Sequence, residues 1–212
     1  MANWVRSKIT GVSLDDIQPY ISKDDYGTEY LDFEKIIPMP KELAIESSSR
    51  LDKGMEFIDN HVLSVELINS LSDEEKECLN LGFKGLYNER HYGFKDWYDW
   101  CRARWGTKWN SHDCDFCGDE FYISTAWSCP VPIFQKLSEL LHKEIEIVYA
   151  DEDSGYNTGE YVFENGEETY CIHPTGGSYE AFELYTKAWC EDVSIVMGDD
   201  GKWRLDWGDE DE

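Results

Sequence analysis

Between Pro132 and Ile172 the hydrophobic period changes from helical to alternating, and this stretch constrains the fold more than any other. The segment "PIFQKLSELLHK" puts Ile133, Leu137, Leu140 and Leu141 on one helical face. "EIEIVYA" then alternates Ile145, Ile147 and Tyr149 against Glu144 and Glu146, the pattern of a half-buried antiparallel strand. "YVFENGEETYCI" predicts a hairpin turned on Asn165-Gly166, a pair that accepts the positive φ angles of a two-residue turn. A helix followed by strands on tight turns requires an antiparallel sheet with a helix packed on it.

The remaining segments extend this scheme. "NWVRSKITGV" carries β-branched Val5, Ile9 and Val12 and reads as a strand. "SLDDIQPYI" has Ser13 and Asp16 in capping-box spacing and predicts a short helix disturbed by Pro19. "YLDFEKIIPMP" alternates Leu31, Phe33 and Lys35 and reads as a second strand, ended by its prolines. Residues 41–60 are polar and read as a mobile loop, followed by a helix at about 61–70 and another from Ser72 and Glu75 to a stop at Gly82. "EFYISTAWSCPVP" is a strand running into a helix start, "SYEAFELYTKAWCED" a helix capped by Ser178, and "VSIVMGDDGKWRLDW" a hairpin around Asp199 to Gly201. The expected class is α+β: a ferredoxin-like antiparallel sheet with helices on one face, plus inserted helices and C-terminal hairpins. The expected division is a ferredoxin-like domain over 1–175 with a helical insertion at about 41–90, then an acidic helix-hairpin extension over 176–212.

"GFKDWYDWCRARWGTKWN" gathers Trp97, Trp100, Trp105 and Trp109. On a helix ended by Gly106, Phe94, Trp97, Tyr98, Cys101 and Trp105 share a face, so most of these rings are expected to pack in a core. Trp100 and Trp109 fall off that face and are the rings expected to be exposed.

Charge narrows the function. The chain carries 45 Asp and Glu against 19 Lys and Arg, a formal net charge of −26. Phosphate contact needs cationic side chains, so direct nucleic-acid binding and attachment to an anionic membrane are both disfavoured, and a base-stacking role for the tryptophans goes with them. Residues 144–212 hold 20 acidic and three basic side chains. The clusters are Asp151/Glu152/Asp153, Glu164/Glu167/Glu168, Asp199/Asp200 and Asp206/Asp209, and these ten residues are the candidate partner-binding set. The plain account of such acidity is a well-solvated surface; the functional account is mimicry of a polyanion that steers a basic groove onto the protein.

No catalytic signature accompanies the charge. Phosphate-binding glycine loops, G-x-S-x-G and H-E-x-x-H are all absent, and the five histidines are scattered. No catalytic residue and no cofactor is expected. Cys114-x-x-Cys117 is half of a zinc or redox motif with no second half in spacing, and seven cysteines without a leader read mainly as reduced thiols. The other half of a metal site would have to come from distant residues such as Cys171 and His173. "DEDSGYNTGEYV" imitates a calcium loop but has Val162 where a bidentate Glu belongs. "MANWVRSKIT" has no basic segment followed by an apolar run, and no stretch approaches about 20 apolar residues, so a cytoplasmic protein is expected.

Several segments together resemble one family. They are "NWVRSKITG", "LDFEKIIPMPKEL", "GFKDWYDWCRARWGTKWN", "ISTAWSCPVPIFQKLSE" and "YADEDSGYNTGEYVFENGE". Over roughly residues 1–168 they are similar to the Api92/YubB-like (DUF1281-type) proteins carried by phages, plasmids and other mobile elements. The resemblance implies a ferredoxin-like domain and brings no activity and no catalytic residue. "SHDCDFCGD" departs from the pattern and supplies two extra cysteines. Acidity and a mobile-element resemblance lead to one expectation: a non-enzymatic inhibitor in the host cytoplasm, binding a basic, nucleic-acid-binding host protein as a DNA mimic. The partner would be a CRISPR effector, restriction enzyme or related nuclease. The alternatives are a metal- or redox-dependent module on Cys114 and Cys117, or an accessory protein of phage or plasmid maintenance.

Overall fold

In the computed structural model, which describes residues 3–117 and 119–208, the chain alternates short strands and helices. In order these are β1 (Trp4–Thr10), α1 (Leu14–Ile17), β2 (Ile21–Lys23), β3 (Glu29–Leu31), α2 (Phe33–Ile36), α3 (Ser49–Asn60), α4 (Val65–Ser70), α5 (Asp73–Tyr92) and α6 (Trp97–Arg104). The second half adds β4 (Cys114–Cys117), β5 (Glu120–Ala126), α7 (Val131–Leu141), β6 (Glu144–Asp151), β7 (Gly159–Glu164), β8 (Glu167–Ile172), α8 (Tyr179–Trp189), β9 (Ser194–Met197) and β10 (Trp203–Asp206). Two compact units result: residues 1–37 with 105–212, and residues 38–104.

The first unit is built on a six-stranded sheet in the order β4-β5-β1-β6-β7-β8, every pair antiparallel. β1 is central and its alternation sets the two faces. Val5, Ser7 and Ile9 are all fully buried and share a face with Phe121, Ile123 and Thr125 of β5 and with Ile147 and Tyr149 of β6. α7 covers this face. Its Ile133, Phe134 and Leu137 are fully buried, and Cys129, just before it, accepts the Ser7 hydroxyl at 3.7 Å. The tight turn at Asn165 and Gly166 has φ angles of 52° and 83°, as a two-residue hairpin demands.

The opposite face also carries a helix. From Ile147 to Asp151, β6 is buried on both sides, so Val148 and Ala150 need a cover that α7 cannot give. α8 supplies it by packing Leu184, Tyr185 and Ala188 onto them. The ferredoxin-like sheet thus has α7 on one face and α8 added on the other. The β9–β10 hairpin packs on α8, with Tyr179 meeting Trp203 edge-on at 5.0 Å.

Local chemistry explains where the elements begin and end. Ser13 and Asp16 form the expected capping box, and Pro19 turns α1 into a 3-10 turn over residues 18–20. The strand expected through Phe33 and Lys35 stops at Leu31. Asp32 accepts the Glu34 amide at 3.1 Å and starts α2 instead, so Phe33 and Ile36 enter the core from a helix. Trp105 donates its indole N–H to the Ile37 carbonyl at 2.9 Å and meets Phe33 edge-on at 5.7 Å.

The second unit is helical over 38–104, wider than the insertion expected at about 41–90. Most of the segment expected as a mobile loop is α3, capped by Ser48. Gly82 is not a stop: α5 continues to Tyr92 and ends at Gly93, whose φ is 78°. Gly54 of α3 and Gly82 of α5 face each other so closely that a methyl group on either would overlap the other helix's backbone. The carboxylate of Asp96 caps α6, accepting the amides of Tyr98 at 3.0 Å and Asp99 at 3.1 Å. In the tryptophan stretch, Trp100 is 5% exposed and buried with Cys101, contrary to the exposure expected of it. The buried arc of α6 centres on Trp100 and Cys101, whereas Phe94, Trp97 and Tyr98 are half-buried.

Candidate partner-binding acidic surface

The side chains on the α8 face of the sheet divide by charge. On β1, Lys8 binds Glu120 at 2.7 Å and Arg6 lies 3.7 Å from Asp115, with its guanidinium 5.0 Å above the Tyr122 ring. The Lys8 ammonium, followed by the Tyr122 hydroxyl, holds the Glu120 carboxyl below its usual range. That part of the face is neutralised within the chain.

Across β6, β7 and β8 the situation reverses. Glu144 stands opposite Glu164, and Glu164 opposite Glu167. Neighbouring strands are about 4.8 Å apart, so these three carboxylates form a row roughly 10 Å long. Glu146, two residues along β6, stands on the same face and is exposed like the other three. None of the four has a salt bridge among the described residues. Like charges directly opposite one another weaken strand pairing, so this row is carried at a cost.

The ten sequence candidates do not all join it. Glu164 and Glu167 do. Glu168 pairs with Phe163 and, as the next residue after Glu167, points to the opposite face and leaves the line, although it is exposed. Asp151 is 6% exposed and organises a loop: it accepts Asn3 at 3.3 Å, Asn157 at 3.1 Å and the Asp153 amide at 3.1 Å. It therefore presents nothing to a partner, and the reason is its place at the doubly buried end of β6. Glu152 and Asp153 are exposed, but lie at the opposite end of β6 from Glu144, about 23 Å away at strand rise. Asp199 and Asp200 sit in the β9–β10 turn, where Asp200 accepts the Lys202 amide at 3.2 Å, and Asp206 ends β10 and accepts the Gly208 amide at 3.1 Å. Asp209 lies outside the described residues. Sequence reasoning missed Glu144 and Glu146 as site residues. Their alternation in "EIEIV" was visible, but the register that joins Glu144 to Glu164 and Glu167 was not.

Cys114 and Cys117 do not converge. They lie on one strand three residues apart, and side chains at that spacing point to opposite faces. Burial, with the nearby carboxylate of Glu29, pushes the Cys114 thiol up to about 12. Among the described residues no three His, Cys, Asp or Glu side chains are grouped to hold a metal ion. Among the described residues no helix is long and apolar enough to cross a membrane.

The family model DUF1281_C, described as a ferredoxin-like domain in Api92-like protein, matches residues 104–192. Residues 104–192 are thus similar to the ferredoxin-like domain of Api92-like proteins. This Api92-like domain spans β4 to α8 and so includes both the carboxylate row and the helix beside it. The crystal structure of protein api92 from Yersinia pseudotuberculosis, assigned to DUF1281, aligns with 84% of this chain and 100% of its own at 9% identity and a TM-score of 0.43. No curated protein matches the chain.

Proposed function

We propose that this Api92-like protein is a non-enzymatic binding module whose Glu144–Glu164–Glu167 row docks on a basic, nucleic-acid-binding protein as a polyanion mimic. One observation carries the reading: the register aligns these carboxylates on a rigid sheet while the cations of the same face are spent on Asp115 and Glu120. A partner's Lys and Arg would relieve the repulsion within the row, so association gains from charges that cost the free protein. With the mobile-element character that the family resemblance implies, the proposed targets are host defence proteins that grip nucleic acid, within the host cytoplasm. Accessory roles in phage or plasmid maintenance would use the same surface with a different basic partner.

The test is affinity capture from host lysate, eluted by salt, followed by titration of the captured protein. Replacing Glu144, Glu164 and Glu167 by Gln should weaken binding at least about tenfold, and nucleic acid should compete with the wild-type complex. The same substitutions should raise the thermal midpoint by about 1–3 °C by removing cross-strand repulsion. Affinity indifferent to ionic strength, or unchanged in the triple variant, would refute the proposal.

A further inference from the structure

The outermost strand of the sheet holds a second group of functional side chains, on the opposite face from the carboxylate row. Cys171 of β8 pairs across the strands with Tyr161 of β7, and His173 follows two residues later on the same side. The imidazole is gripped at both nitrogens. Nε2 lies 3.2 Å from the Cys171 sulfur and 3.0 Å from the Tyr161 hydroxyl, and Nδ1 lies 3.1 Å from the Tyr149 hydroxyl. The ring also meets Tyr161 edge-on at 5.2 Å. Gly159 makes this possible: a Cβ there would stand 2.7 Å from the Tyr149 hydroxyl and 2.8 Å from Nδ1. Burial pushes both tyrosines up, Tyr161 to about 12, so both hydroxyls stay neutral beside the ring. The thiol itself is exposed, on a strand with no neighbour on its outer side among the described residues.

We propose that Cys171 is a reactive thiol with His173 as its base, and that it is a site of mixed-disulfide formation with small disulfides. Nδ1–H donates to the Tyr149 oxygen, which leaves Nε2 as the acceptor, its lone pair shared between the Cys171 thiol and the Tyr161 hydroxyl. As Sγ attacks one sulfur of R–S–S–R, its proton passes to Nε2. The S–S bond of the small molecule breaks, Cys171–S–S–R forms, and the departing RS⁻ takes the proton from Nε2 and leaves as RSH. This chemistry does not depend on the carboxylate row. Cys117 and Cys190, the other two exposed thiols, serve as internal controls, and Cys190 is engaged with the Tyr122 hydroxyl at 3.0 Å.

The experiment uses limiting iodoacetamide and, separately, 2-hydroxyethyl disulfide, both uncharged so that the protein's field does not bias them, with peptide mass spectrometry of each cysteine over time. Cys171 should be modified at least roughly tenfold faster than Cys117 or Cys190. His173→Gln should bring its rate down to theirs, with the other two rates and the circular dichroism unchanged. Should that variant disturb the fold, Tyr149→Phe keeps the ring packing, removes the contact that orients Nδ1, and should also slow Cys171. Equal rates at the three thiols, or a Cys171 rate that survives both substitutions, would overturn the proposal.

Discussion

Asp16 shows how one side chain can serve two structural purposes at the surface. Its carboxylate accepts the Ser13 amide at 2.8 Å and the Lys143 ammonium at 2.6 Å, tying the start of α1 to the turn before β6. The Lys143 hydrogen bond, and then those from Ser13, hold this carboxyl well below the usual carboxylate range. A lowered folded-state value contributes stability that is complete above the unfolded value near 4, shrinks as pH falls below it and is gone only below the folded value. Replacing Asp16 by Asn should therefore cost stability at neutral pH, and the gap from wild type should begin to narrow below about pH 5 and keep narrowing to the most acidic pH at which the protein stays folded. The pair faces solvent, so the gap should stay below about 1 kcal/mol after screening. Urea midpoints of both proteins across that range check this, and a gap constant with pH would contradict it. Residues like Ser13, Asp16 and Ser178 were legible because capping needs only a local spacing. Trp100 was not, because α6 spans only Trp97–Arg104, so Phe94 and Trp105 of the expected face lie outside it and the helix docks with Trp100 and Cys101 inward, a rotation that tertiary packing decides.

Glycine illustrates the same limit for whole elements. Gly82 reads as a helix stop, yet it lies in the middle of α5 because Gly54 of α3 crosses there at backbone contact. Replacing Gly82 by Ala gains about 1 kcal/mol of helix propensity but forces the two helices apart. The net expectation is a loss of about 1–3 kcal/mol, read as a lower urea midpoint for the helical unit, and an unchanged midpoint would show that the helices can separate freely. α3 itself was missed although Leu51, Met55 and Ile58 carry the i, i+4, i+7 period of a helix, because the serine triplet and the charged residues around them read as a polar loop. The strands fared better. "EIEIVYA" and the Asn165-Gly166 hairpin were readable because alternation and turn chemistry are properties of consecutive residues. β4 was not, since Cys114 to Cys117 becomes a strand only by pairing with β5.

At the scale of the whole molecule, a net charge of −26 makes the folded state repel itself. Raising ionic strength from about 0.05 M to about 0.5 M shortens the screening length from above 10 Å to below it, and should raise the thermal midpoint by a few degrees. Scanning calorimetry in sodium chloride tests this, and a midpoint that falls with salt would mean that ion pairs such as Lys8–Glu120 outweigh the repulsion. Composition alone determined that this protein folds around an apolar core, carries an excess of carboxylates and is disfavoured from gripping phosphate directly. Local pattern determined most of its caps, turns and strands. Tertiary structure alone decided that Glu144, Glu164 and Glu167 stand in line, that Asp151 is consumed by its own loop, and that Cys171 meets His173 between two tyrosines. The physical reason is that a side chain's neighbours along the chain are fixed by covalent bonds, whereas its neighbours across strands depend on register, and a shift of one residue would send each to the other face.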